Sequence, residues 1–257
     1  MSLDMPRGAH SVDQYFDKEA AIWIRRYAEE PAFQTRLATI GPVVIRATRE
    51  SEGTRVLDFG GGAGVFSAVA STHATMVLTL DRSREMLRAA PKHPEELSRL
   101  AVSVGGDYRP DRVHRVAGDL ATFGDHAKGV FDLVMSISVL EYIDDVPAII
   151  RNFAWLLRPG GRMILQVPNR RSPYRYIRVA LSRAERIGRV VGLVRQQSDG
   201  GYMAVRPHGD RVPWRFALTA AGMSIVDVER VAIGSKGPFR WFHPNLLVVA
   251  MKPTSTN

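Results

Sequence analysis

The sequence predicts a doubly wound α/β fold: a mainly parallel sheet of seven strands, helices on both faces, in one domain over residues 1–257. Three observations lead there. Short apolar runs alternate with stretches of helical spacing through the middle of the chain, the pattern of right-handed crossovers between parallel strands. The first clear strand empties into Gly60-Gly61-Gly62-Ala63-Gly64, a glycine-rich turn that opens a helix. With 257 residues, 45% of them hydrophobic, the chain can bury a sizeable core without a disulfide or metal staple.

The elements follow in order. Val12 to Arg49 is helical in composition, and residues 12–50 form an expected N-terminal lid. Arg55 to Phe59 reads as a short buried strand and Ala63 to Ser71 as the helix after the glycine turn. Met76 to Leu80 is a second strand, followed by a helix from Arg84 to Ala90 that Pro91 stops. Val113 to Ala117 is a third strand and Val130 to Ile137 a fourth. Val146 to Leu157 has helical spacing, with Asp144 as its expected N-cap. Arg158-Pro159-Gly160-Gly161 reads as a stop and turn before a fifth strand, Arg162 to Val167. A basic insertion, residues 169–213, interrupts the alternation. Residues 214–252 resume it with a helix from Phe216 to Ala221 and strands Ser224 to Ile233 and Leu246 to Met251.

The glycine turn carries the chemistry. Bare backbone lets a ligand lie against it, and the N–H groups at a helix start bind polar or anionic groups. The dinucleotide spacing G-x-G-x-x-G is absent, because the sixth position is Val65. An acid, Asp58, stands two residues before Gly60, and suits a ligand with an ammonium group better than one with a pyrophosphate.

At this point the chain resembles the class I S-adenosylmethionine-dependent methyltransferases, of the small-molecule type that acts in quinone biosynthesis. Five segments carry the resemblance, in order, between Thr54 and Pro168. They are Asp58-Phe59-Gly60-Gly61-Gly62-Ala63-Gly64, then Leu80-Asp81-Arg82-Ser83-Arg84-Glu85-Met86-Leu87, then Ala117-Gly118-Asp119-Leu120. Phe131-Asp132-Leu133-Val134 with Ser138-Val139-Leu140-Glu141, and Leu157-Arg158-Pro159-Gly160-Gly161-Arg162, complete the set.

The resemblance implies a Rossmann-like methyltransferase fold, with residues 54–168 as the cofactor-binding core and S-adenosylmethionine as the cofactor. It implies that Gly60, Gly62 and Gly64 admit the methionine and ribose part, and that Asp58 helps to hold the ammonium end. Asp81, with Arg82 beside it, would take both ribose hydroxyls, since one carboxylate has two oxygens. Met86 would sit near the adenine, Asp119 would accept from its amino group, and Leu120 would pack on the ring. Asp107 competes with Asp119 by composition, but only Asp119 shortly precedes the fourth motif. Ser136 and Ser138, at the tip of strand four, would face the methyl group. Tyr15 would be the lid residue, from a segment of aromatics at helical spacing that either covers the cofactor or packs on the edge of the sheet. Tyr142 stands where many relatives carry a histidine after Glu141, so that histidine's role does not carry over.

Methyl transfer from a sulfonium is an in-line displacement with a neutral leaving group, so positioning can supply most of the catalysis. His208 and Tyr142 are the candidate catalytic residues, with His243 as a further candidate base. No metal is expected, since no metal-ligand spacing is present, and the absence of cysteine excludes disulfides, thiolate zinc sites and cysteine nucleophiles. Residues Asn169 to Arg215 hold eleven arginines, no lysine and three acids, so this stretch carries nearly all of the net charge of +9. Arg175, Arg178, Arg186 and Arg189 fall on one face of an amphipathic helix expected over Tyr174 to Arg195. That face would be solvated, meet an anionic membrane, or pair with a phosphate or carboxylate on the acceptor.

The expected reaction is methyl transfer to oxygen or nitrogen of a small-molecule acceptor, such as a biosynthetic intermediate, a sugar or a lipid-linked compound. The competing readings are a nucleic-acid methyltransferase and an inactive cofactor-binding partner subunit, with a dehydrogenase the weakest. Nucleic acid ranks low as a partner, because the basic residues lack interleaved stacking aromatics. Met1 to Asp17 has no apolar signal-like run and no segment approaches the ~20 apolar residues of a membrane span. The expected location is therefore the cytoplasm, or a membrane surface reached from it.

Overall fold

The computed structural model describes residues 12–50, 53–169, 171–172, 213–232 and 243–254. Two long helices come first, α1 (Val12–Glu29) and α2 (Pro31–Arg49). Glu30 between them is extended, and Pro31 opens α2 at a position where its missing N–H costs nothing. The sheet and its helices follow as β1 (Arg55–Phe59), α3 (Val65–Ala70), β2 (Met76–Asp81), α4 (Arg84–Ala89), α5 (Pro94–Val102), β3 (Val113–Ala117) and β4 (Phe131–Ile137). After these come α6 (Val146–Leu156), β5 (Leu157–Pro168), α7 (Trp214–Ala220), β6 (Ser224–Val231) and β7 (Asn245–Met251).

The seven strands form one sheet in the order β3-β2-β1-β4-β5-β7-β6. β1 to β5 run parallel; β7 is antiparallel to both β5 and β6. One apolar layer lies between the sheet and α1 to α5, with Val56, Leu133, Met135 and Leu247 facing it. The other lies under α6 and α7, with Leu57, Val134, Leu165 and Val248 facing it. Alternate residues of each strand therefore feed opposite layers, and both faces are dry, which is why the central strands read as nearly continuous apolar runs. The carboxyl ends of β1, β2 and β4 come together at one edge, where open α/β sheets bind ligands.

Three elements differ from the sequence expectation. The helix after the glycine turn begins at Val65, not Ala63, because Gly64 caps it in the left-handed region, with φ of 79°. Residues between Pro91 and Arg112 contain a helix, α5, that the sequence reading left as a long connection. β5 begins at Leu157, five residues early. Leu157 pairs with Phe131 of β4, and the expected turn is tied to the segment after β7: Gly160 N–H donates to the Lys252 carbonyl at 3.0 Å, and Lys252 N–H to that of Gly161 at 2.9 Å. The basic helix expected over 174–195 lies outside the described residues.

A fourth correction concerns a cap. Asp145, not Asp144, caps α6, accepting from the Ala148 N–H at 2.9 Å. Asp145→Ala should cost about 1 kcal/mol and lower Tm by about 2–4 °C in a thermal melt. An unchanged Tm would show that the bond adds nothing.

Candidate active site

The site grows from the way β1 and β2 end. Asp58 lies on β1, is 1% exposed, and accepts a 2.6 Å bond from Ser67 Oγ of α3. Ser67 Oγ is also 2.6 Å from Thr79 Oγ1. Ser67 has one proton and gives it to Asp58, so Thr79 donates to Ser67. Gly61 makes this packing possible: a Cβ there would stand 2.6 Å from Asp58 Oδ2 and 2.7 Å from Thr79 Cγ2. Burial pushes the Asp58 carboxyl up to about 6, with the Ser67 bond opposing the rise and the nearby Asp81 charge adding to it.

Asp81 ends β2 and braces the glycine loop. One carboxylate oxygen accepts from Gly62 N–H and the other from Ser83 N–H, each at 2.8 Å. Gly60 N–H donates to the Leu80 carbonyl at 2.7 Å, tying the loop to the same strand. Burial raises the Asp81 carboxyl above its ordinary value, while the Ser83 and Gly62 N–H groups oppose the rise. Two carboxyls on adjacent strand tips thus flank a bare backbone loop and line one cavity.

Helix α1 roofs that cavity. Asp13 pairs with Arg82 at 2.9 Å. Ser83 Oγ donates to Asp17 Oδ1 at 2.6 Å while also capping α4 at Met86 N–H. Phe16 meets Trp23 and Tyr142 edge-on, at centroid distances of 5.6 and 5.4 Å. Arg36 of α2 enters from the far side, its Nη1 donating to Tyr27 Oη at 3.2 Å. At the tip of β4, Ile137, Ser138 and Tyr142 close the wall. Ser138 is the one non-glycine with positive φ among the described residues, at 58°. Such strain persists where the surrounding structure holds it, typically at functional sites.

Of the predicted site residues, Asp58, Gly60, Gly62, Asp81, Arg82, Met86, Ser138 and Tyr142 all line this cavity. Gly64 lies behind it as the cap of α3. Tyr15 does not line it; the rings that α1 delivers are its neighbour Phe16, Trp23 and Tyr27. Ser136 is fully buried outside the lining, its Oγ without a hydrogen-bond partner. Asp119 follows β3 as expected, but is exposed and caps a short turn at the Ala121 N–H. Leu120 lines a separate cleft with Phe123 and Trp155. Asp107 precedes β3 and pairs with Arg109 at 2.6 Å, away from the strand tips. His243 leads into β7, and its carbonyl accepts from Asn169 Nδ2 at 2.8 Å. Burial and Arg230 hold its imidazole below the usual value. His208, Arg175, Arg178, Arg186 and Arg189 lie outside the described residues. No group of side chains suited to a metal occurs among the described residues, and no described helix is long and apolar enough to cross a membrane.

The sequence reading missed Phe16, Trp23, Arg36 and the latch of Asp13 and Asp17. The aromatic spacing of α1 was visible; the face it turns inward was not.

Comparison with known proteins agrees with this geometry. Residues 25–219 match a methyltransferase-domain family. The ubiquinone biosynthesis O-methyltransferase of Xanthomonas axonopodis pv. citri (strain 306) is 34% identical over 157 residues, 60% of either chain. The matched stretch thus covers less than two thirds of that relative. Magnesium protoporphyrin IX methyltransferase from Synechocystis PCC 6803, solved with bound SAH, superposes with a TM-score of 0.61 at 21% identity, over 94% of this chain and 97% of that one. The cyclase SpnF superposes almost as well, with a TM-score of 0.60 at 16% identity, over 96% of this chain and 98% of that one. At such identities the likeness is one of fold.

Proposed function

The chain belongs to the S-adenosylmethionine-dependent methyltransferase domain family, and on that premise we propose that it transfers a methyl group from S-adenosylmethionine to oxygen or nitrogen of a small-molecule acceptor. The observation that carries the proposal is the pair of carboxyls, Asp58 buried and Asp81 half-buried, on either side of an open glycine floor. A Cβ on Gly62 would meet nothing nearer than Met86 Sδ at 3.8 Å, Asp81 Oδ2 at 3.9 Å and Trp23 Nε1 at 4.0 Å. The residues present therefore leave room for a nucleoside against the backbone, between an acid and an aromatic roof.

In this reading Asp81 takes the ribose hydroxyls and Asp58 faces the ammonium group. Arg36, the cation that α2 brings to the cavity, holds the methionine carboxylate. When bound, S-adenosylmethionine supplies a methyl group on a positively charged sulfur that leaves as a neutral thioether. Phe16 and Trp23 keep water from that centre, which strengthens the electrostatic contacts inside. Ser138 and Tyr142, at the tip of β4, align the acceptor with the methyl group, and the Tyr142 hydroxyl handles the acceptor proton. Positioning of this kind can account for most of the rate.

Calorimetry tests the reading. S-adenosylhomocysteine should bind at micromolar concentration and NAD should not bind. A folded protein that takes up no S-adenosylhomocysteine would overturn the proposal.

A further inference from the structure

Beside the cavity stands a side chain with nothing to do. Gln166 lies near the end of β5 and is 1% exposed. Both of its amide atoms, Nε2 and Oε1, are buried without a hydrogen-bond partner. Buried amides are nearly always satisfied, and an orphan of this kind calls for an explanation.

Its placement supplies one. Gln166 pairs with Ile137 of β4 on one side and Leu247 of β7 on the other. Both neighbours belong to the apolar layer under α1 and α2, so the amide faces that layer too. Ile137 lines the cavity, and adjacent strands are about 4.8 Å apart. Gln166 itself is not among the lining residues, so its amide stands one strand behind the wall that Ile137 forms, beyond the proposed methyl position. Along the edge of the sheet, β2 and β1 hold the acids, Ser138 follows the end of β4, and β5 comes next.

Resting on the methyl-transfer reading, we propose that Gln166 is an acceptor-recognition residue. A primary amide offers one donor and one acceptor side by side. It would select an acceptor that carries the reverse pair on adjacent atoms, as the N–H and C=O edge of a lactam or imide does, in the way Gln reads such an edge in a base. A site built to satisfy such a group also rejects analogues that lack it, because the amide is then left unpaired.

The test uses the full chain saturated with S-adenosylhomocysteine and three probes: 2-pyridone, phenol and toluene. Binding is followed by NMR, including the side-chain NH2 signal of Gln166. The proposal expects 2-pyridone to shift that signal and to bind at least about tenfold more tightly than toluene, a preference that Gln166→Leu abolishes. Gln166→Leu should also leave S-adenosylhomocysteine affinity unchanged and raise Tm by about 2–4 °C, since it removes an unsatisfied buried group. Gln166→Met serves the same purpose should the leucine variant fail to fold. An unmoved NH2 signal, or equal probe affinities in the wild type and variant, would show that the amide serves only the core or a trapped water, and would overturn the proposal. Loss of S-adenosylhomocysteine binding by the wild-type protein would instead strike at the methyl-transfer reading itself.

Discussion

Asp81→Ala should lower the affinity for S-adenosylhomocysteine by at least about 100-fold, the largest effect expected of any single change at the site. The reason lies in what one carboxylate does twice. It holds the Gly62 and Ser83 N–H groups at 2.8 Å, and in the proposed complex it also meets the ribose hydroxyls. Hydrogen bonds to a charged group contribute about 1.5–3 kcal/mol each, and two of them lost amount to ~10²–10⁴ in affinity. The variant also frees the loop N–H groups, so part of the loss reflects a looser floor. A ligand series separates the two effects. Wild-type protein should discriminate strongly against the 2′,3′-dideoxy analogue of S-adenosylhomocysteine, and Asp81→Ala should not. Equal discrimination by the two proteins would remove Asp81 from ribose recognition.

Asp58→Asn is expected to act in opposite directions on stability and binding. The folded protein holds the Asp58 carboxyl at about 6, against an ordinary value of 3.8, chiefly through burial. A raised folded value means that the native state binds the proton more tightly than the unfolded chain does. Stability from this group is therefore present in acid and is lost as pH rises from about 4 through 6. Near neutral pH the buried charge costs about 3 kcal/mol. Asparagine keeps the shape and can still accept from Ser67, yet carries no charge, so the ligand-free variant should melt several degrees higher at pH 7 and show no gain at pH 4.

Binding should run the other way. An ammonium group needs Asp58 ionised, so wild-type affinity for S-adenosylhomocysteine should fall about fivefold between pH 6 and pH 5. In Asp58→Asn affinity should be weak at every pH, and its decline in acid shallower, Asp81 being the remaining carboxyl of the pair. Calorimetry across pH 5–7 on both proteins reads this directly. A wild-type affinity that is flat over that range would show that Asp58 supports the loop and does not face the ligand.

The two acids were legible in the sequence, and the reason is local. A strand, a glycine turn and an acid at a fixed spacing occupy adjacent positions in the chain, so Asp58 and the glycines stand out without any knowledge of packing, and the resemblance to the methyltransferases points to Asp81. The same holds for the sheet. β1, β2 and β4 fall within a residue of their expected ends, because strands covered on both faces become apolar runs with sharp borders.

What tertiary structure decided is whatever depends on residues far apart in the chain. Asp17 reaches Ser83 across 66 residues, so no window of local sequence could show that α1 latches onto the tip of β2. Helical spacing placed Tyr15 and Phe16 on the lid alike, and only packing against Tyr142 selected Phe16. β5 starts at Leu157, not at Arg162, because Leu157 pairs with Phe131 of β4 and the backbone of Lys252 ties down Gly160 and Gly161. Gln166 reads as an ordinary polar residue in a strand until both its neighbours and its unsatisfied amide are seen. Composition and spacing thus determined the fold and the acid-flanked loop, since neighbouring residues write those. The roof and the wall follow from contacts that exist only once the chain has closed on itself.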